Sequence, residues 1–123
     1  MKALLIVAHG CRIKTANDEV RRLAKCIGEN SGPTFDWVTS AFLELSSPQV
    51  ASAIADLAEK GAVEIKVFPY FLVAGTHVVK NIPRIIEEAK ETYPDIHFEI
   101  LPHLGALKGI DTLVLTHIYK SAE

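Results

Sequence analysis

Apolar positions along this chain follow two rhythms, unbroken runs and helical stripes, and each passage from the first to the second marks a strand followed by a helix. Residues 3–9 are an apolar run stopped by His9 and Gly10, the pattern of a strand covered on both faces. Beyond a loop through Gly10-Cys11-Arg12-Ile13-Lys14, the residues Val20, Leu23, Ala24 and Ile27 recur at helical spacing. Thr15 or Asn17 is placed to cap that helix, and a breaker cluster at 28–32 ends it. Residues 35–42 read as a second strand whose mixed character suits an edge position. Ser46-Ser47-Pro48-Gln49 predicts a helix start, with a serine cap, a proline in the first turn and a glutamine to complete a capping box. Val50, Ile54, Leu57 and Ala58 form its stripe, and Gly61 is its C-cap.

Residues 64–72 are the third strand, placed at the sheet centre because they enter the longest apolar run; Pro69 removes one backbone donor and predicts a bulge or an early end. The next helix begins between His77 and Asn81, carries Pro83 in its first turns, buries Ile82, Ile85, Ile86 and Ala89, and breaks at Tyr93-Pro94-Asp95. Residues 96–101 are a fourth strand, and a helix over 107–120 presents Leu107, Ile110, Val114 and Ile118 as its buried stripe. Four strands alternating with four helices predict an α/β fold: a three-layer, flavodoxin-like sandwich on a parallel sheet, for which right-handed crossovers favour the order 2-1-3-4. Residues 1–123 then make a single domain, with the first and third strands adjacent and a crevice at their carboxyl ends.

Composition narrows the function classes. A formal net charge of −2 leaves no basic footprint for nucleic acid. No apolar run reaches the ~18 residues of a membrane span, and the first residues lack the apolar core and cleavage site of a signal peptide. Cys11 and Cys26 fit no CxxC spacing, so a reducing cytoplasm is the simplest location. There is no GxGxxG, Walker loop or nucleophile elbow.

His9 ends the first strand, and His77 follows Gly75-Thr76 after the third. Taken singly, each is as readily a hydrogen-bonded structural histidine as a ligand. Taken together, at the same edge of adjacent strands ~5 Å apart, two imidazoles can share one divalent ion. Glu44 follows the second strand at that edge, although a solvated loop carboxylate reads the same way. His103 follows the fourth strand, further off; His97 and His117 lie within elements and read as structural or solvated. Cys11 adjoins His9 but is a single thiol, and Cys26 sits on a helix stripe. Arg12, Lys14, Lys80 and Arg84 surround the crevice, where cations would steer a polyanionic substrate.

Three blocks carry a resemblance: Leu5-Ile6-Val7-Ala8-His9-Gly10-Cys11-Arg12; Ala41-Phe42-Leu43-Glu44 with Pro48; and Pro69-Tyr70-Phe71-Leu72 with Gly75-Thr76-His77 and Ile82-Pro83. In order and spacing they resemble the short sirohydrochlorin chelatases, the cobaltochelatase and ferrochelatase branch of the class II, ATP-independent chelatases. The resemblance implies a chelatase-like domain acting as a homodimer. It implies His9 and His77 as metal-binding and catalytic residues, with Glu44 at the acidic catalytic position. Arg12, Lys14, Gly75, Thr76 and Lys80 then face the tetrapyrrole substrate. A divalent metal is a second substrate, cobalt first, with nickel and iron as alternatives, and no nucleotide takes part. The chain departs from the family pattern at Cys11, where a serine is usual, and at Asn81, where an aspartate is usual. A metal-delivery protein using the same histidines is the rival reading. A flavodoxin-like or receiver-like signalling domain fits less well, because the first strand ends in Ala-His-Gly and not in a phosphate loop or an acidic pocket.

Overall fold

A computed structural model describes residues 1–122. Four parallel strands, β1 (Lys2–Ala8), β2 (Trp37–Phe42), β3 (Glu64–Pro69) and β4 (His97–Ile100), form one sheet in the order β2-β1-β3-β4. The central pair is in register from Lys2 opposite Glu64 to Val7 opposite Pro69, and β1 meets β2 from Ala3 opposite Trp37 to Ala8 opposite Phe42. The strand order and parallel sheet agree with the sequence-based expectation.

Because side chains alternate across a strand, β1 feeds two cores. Ala3, Leu5 and Val7 join Ile65, Val67 and Phe98 against α2 (Val50–Glu59) and α3 (Ile82–Thr92), which contribute Ile54, Leu57, Ile82 and Ile86. Leu4, Ile6 and Ala8 pack on the other face with Phe42 against Val20 and Ala24 of α1 (Lys14–Asn30). A sheet covered this way on both faces explains why β1 is apolar at every position after Lys2.

Four local expectations are corrected. Helix α1 starts at Lys14 without a side-chain cap; neither Thr15 nor Asn17 caps it, and the buried Asn17 amide instead brackets Cys11, accepting from its N–H at 3.0 Å and donating to its carbonyl at 2.7 Å. Ser46-Ser47-Pro48 does not open α2. That helix begins at Val50 with no side-chain cap, because Pro48 offers its carbonyl to the Phe42 N–H at 2.9 Å and the segment is held as a loop beside β2. Strand β3 ends at Pro69, not at 72, as the missing donor allowed. The last helix, α4 (Ile110–Ala122), keeps its apolar stripe in solvent: Val114 and Ile118 are 52% and 55% exposed, and Leu107, ahead of the helix, is also exposed. Among the described residues, no helix is long and apolar enough to cross a membrane.

Candidate functional site

The two central strands stop together, and their chains diverge in ways that place one histidine each. After Val7 and Pro69 face each other, the Tyr70 N–H still donates to the Val7 carbonyl at 2.8 Å, and the Phe71 N–H then turns back to the Pro69 carbonyl at 3.0 Å. The exposed residues 72–76 follow, and the Gly75 carbonyl accepts from Val78 and Val79 to start a π-helical turn, His77–Asn81, that runs into α3. Wide turns of this kind are uncommon and are frequent at functional sites. His77 opens the turn with its ring centroid 4.6 Å from that of His9, inclined at 52°, and 6.3 Å from the Phe71 ring. Both imidazoles are half-buried.

Glu44 reaches the same place along β2. The β1–β2 ladder continues past Phe42, with Leu43 N–H donating to Ala8 and Glu44 N–H donating to His9, each at 3.0 Å. This sets the carboxylate beside the ring, with Glu44 Oε1 3.0 Å from His9 Nε2. Gly10 makes that approach possible. Its φ is +91°, and a Cβ there would overlap the Glu44 carbonyl oxygen, so backbone freedom and lack of a side chain are both required.

The hydrogen bonding of His9 defines its chemistry. Nδ1 lies 2.9 Å from the Gly10 carbonyl, and since a carbonyl only accepts, Nδ1 carries a hydrogen. A neutral His9 therefore presents the Nε2 lone pair to the crevice. Glu44 Oε1 lies 3.0 Å from that nitrogen, within hydrogen-bond distance of it. Asn81 holds the His77 ring in the opposite sense, its amide nitrogen 2.9 Å from Nδ1 and able only to donate to it. A half-turn of the amide puts Oδ1 there instead, accepts Nδ1–H and leaves the His77 Nε2 lone pair free.

The other sequence candidates divide cleanly. Arg12, Lys14, Gly75, Thr76, Lys80 and Arg84 are all exposed. The Cys11 sulfur accepts from the Ile13 N–H at 3.4 Å. His97 is exposed at the start of β4, His103 precedes a 3-10 turn at Leu104–Ala106, and His117 bonds the Leu113 carbonyl within α4. Among the described residues, no three His, Cys, Asp or Glu side chains converge as a metal cage. Two imidazoles 4.6 Å apart can nevertheless meet one ion at nitrogen-to-metal distances of ~2.0–2.1 Å and leave the rest of its coordination sphere open. Sequence reasoning missed Phe71 as a neighbour of His77, since a phenylalanine inside an apolar run carries no signal beyond burial.

Comparison with known proteins points the same way. A family model described as CbiX matches residues 3–121. The chain is 31% identical over 128 residues to a sirohydrochlorin cobaltochelatase of Priestia megaterium, covering 100% of this chain and 39% of that protein. It is also 31% identical over 115 residues to a sirohydrochlorin ferrochelatase of the same organism, covering 94% of this chain and 41% of that one. Among solved structures, the sirohydrochlorin chelatase SirB from Bacillus subtilis subspecies spizizenii in complex with cobalt superposes with a TM-score of 0.84 at 25% identity, covering 97% of this chain and 50% of that chain. The chain thus spans between about two fifths and half of the length of these proteins.

Proposed function

The chain belongs to the CbiX family, and from that membership we propose that it inserts a divalent metal ion, cobalt first and nickel or iron as alternatives, into sirohydrochlorin or a related tetrapyrrole without ATP. The observation that carries the proposal is the contact of His9 with His77 on one side and with Glu44 on the other, at the carboxyl ends of adjacent strands. The relatives named for both cobalt and iron insertion support the substrate class and leave both metals in play.

Insertion replaces two pyrrole N–H hydrogens by one divalent ion, so the site must release a metal and collect two protons. Two imidazole nitrogens serve both needs in turn. Nε2 of His9 and Nε2 of His77 hold the ion by their lone pairs. As the ion passes to the four macrocycle nitrogens, each freed Nε2 takes one pyrrole proton. Glu44 favours that exchange at His9, because its carboxylate at 3.0 Å stabilises the imidazolium that forms. Two neutral ligands suit a metal in transit, since a complete protein cage would compete with the macrocycle for it. Arg12, Lys14 and Lys80, with Gly75 and Thr76, are exposed and would meet the peripheral carboxylates of the tetrapyrrole.

Residues 1–123 act in this scheme as one chelatase-like domain, and a second copy is its partner. The apolar face of α4, with Leu113, Val114, Ile118 and Tyr119 each more than half exposed, supports a homodimer that buries it. Both thiols are free, which suits a reducing, cytoplasmic setting.

Sirohydrochlorin and Co²⁺ mixed with catalytic amounts of protein test the proposal. Many equivalents of cobalt product per chain support the chelatase. Metal uptake that stops at one equivalent, with the tetrapyrrole unchanged, supports a delivery protein instead.

A further inference from the structure

The loop at 43–49 delivers Glu44, yet little of it is held by packing. Glu44 itself is exposed, Leu45 is 52% exposed, and only Leu43 and Ser46 are half-buried. Leu45 also adopts φ +60°, a left-handed conformation that a branched side chain takes only when its surroundings impose it. Upstream, the imposition comes from the main-chain bonds of Leu43 and Glu44 to β1. Downstream, the Phe42 N–H holds the Pro48 carbonyl, and one side chain of another element grips the residues between. Arg21, on α1, sends a single guanidinium nitrogen to Ser46 Oγ at 2.8 Å and to the Ser47 carbonyl at 2.9 Å. Its other terminal nitrogen is fixed by Asp18 at 2.8 Å, and the guanidinium lies 5.0 Å from the centroid of the Phe42 ring.

The strained Leu45 therefore sits between two anchors, with the carboxylate-bearing residue immediately before it. We propose that Arg21 is a positioning residue for Glu44: by clamping Ser46 and Ser47 it holds the 43–49 loop so that the carboxylate stays in contact with His9 Nε2. The planar fork matters here. Asp18 occupies one terminal nitrogen and the loop the other, an arrangement that an ammonium group, with its charge at one point, does not reproduce. Arg21 touches neither histidine, so its influence passes through the loop alone.

This inference rests on the proposed role of Glu44, and its test separates the two. Arg21→Met and Arg21→Lys are each made in the wild-type chain and in Glu44→Gln. The readouts are steady-state cobalt insertion into sirohydrochlorin and the ¹⁵N resonances of the His9 ring in the metal-free protein. Arg21→Met is expected to lower kcat by up to about tenfold, no more than the loss of the Glu44 carboxylate itself, with KM for the tetrapyrrole little changed. Arg21→Lys recovers part of that loss. In the Glu44→Gln background Arg21→Met costs nothing further, because the group it positions is already gone. The His9 ring resonances of Arg21→Met move toward those of Glu44→Gln, and this arm needs no turnover. An Arg21→Met protein with wild-type kcat, an equal loss in both backgrounds, or His9 resonances unmoved in a folded variant would overturn the inference. If wild type shows no insertion with any metal, the chelatase reading fails, while the His9 resonances still decide whether Arg21 places Glu44.

Discussion

Two regions of the molecule are built to different standards. At the β1–β3 edge every chemically important group is over-determined. His9 is tied by Nδ1 to Gly10, Glu44 by its own N–H to His9, and His77 by Asn81 within a turn that starts at Gly75. At the β4 end, α4 displays apolar residues around its surface and every residue from Asp111 to Lys120 is exposed. The two regions meet where Gly105 donates to the Phe71 carbonyl at 3.1 Å, at a spot too close to Leu72 for any Cβ. The contrast separates two duties. The histidine and carboxylate contacts are made within one chain by backbone geometry, whereas the apolar side chains of α4 stay exposed.

If that division is right, the largest effects belong to the histidines. His9→Ala or His77→Ala should reduce metal insertion by at least about a hundredfold, the scale expected for losing a group that handles protons or a metal ligand. Circular dichroism should report an intact fold, since both rings are half-buried beyond the strand ends and neither belongs to the two cores. Gly10→Ala should come next. It forces both a positive φ and a clash with the Glu44 carbonyl, so denaturant unfolding should show a loss of about 2–3 kcal/mol together with most of the activity.

Glu44→Gln keeps the shape but cannot support an imidazolium as a carboxylate does, and should cost about tenfold in kcat while cobalt still binds. Little stability should change with it, because an exposed pair of this kind contributes ~0–1 kcal/mol. Smallest for the fold is a charge placed on α4. Val114→Asp with Ile118→Asp should change the unfolding free energy of the isolated chain by only about 0.5 kcal/mol, as surface substitutions do. Sedimentation should nevertheless show dimer converted to monomer. A dimer that survives both substitutions would place the interface elsewhere and remove the contrast between the two regions.

How much of this was legible in the sequence follows from the range of the interactions involved. Strand order and the adjacency of His9 and His77 were readable because apolar runs, alternation and crossover handedness are properties of the chain itself. The cap predictions failed because Asn17 and Ser46 found better partners in tertiary structure: Asn17 brackets Cys11, and Ser46 meets Arg21. Arg21 at three residues from Asp18 signals no more than an intrahelical pair, and nothing in the sequence reports that a loop 25 residues on lies over it. The last helix was found, but the stripe expected to be buried was not: Leu107 lies ahead of the helix, and Val114 and Ile118 are exposed. Spacing tells that a helix has an apolar face, but not that its own domain will cover it.

The central claim is that His9 and His77, from adjacent strands, hold one ion together and leave the remainder of its coordination open. X-ray absorption on the Co²⁺-loaded protein tests this directly, with wild type, His9→Ala and His77→Ala measured side by side. The account predicts two imidazole nitrogens on cobalt at ~2.0–2.1 Å in wild type, the remaining positions filled by water or buffer, and one imidazole in each variant. Unchanged imidazole scattering in either alanine variant would contradict it.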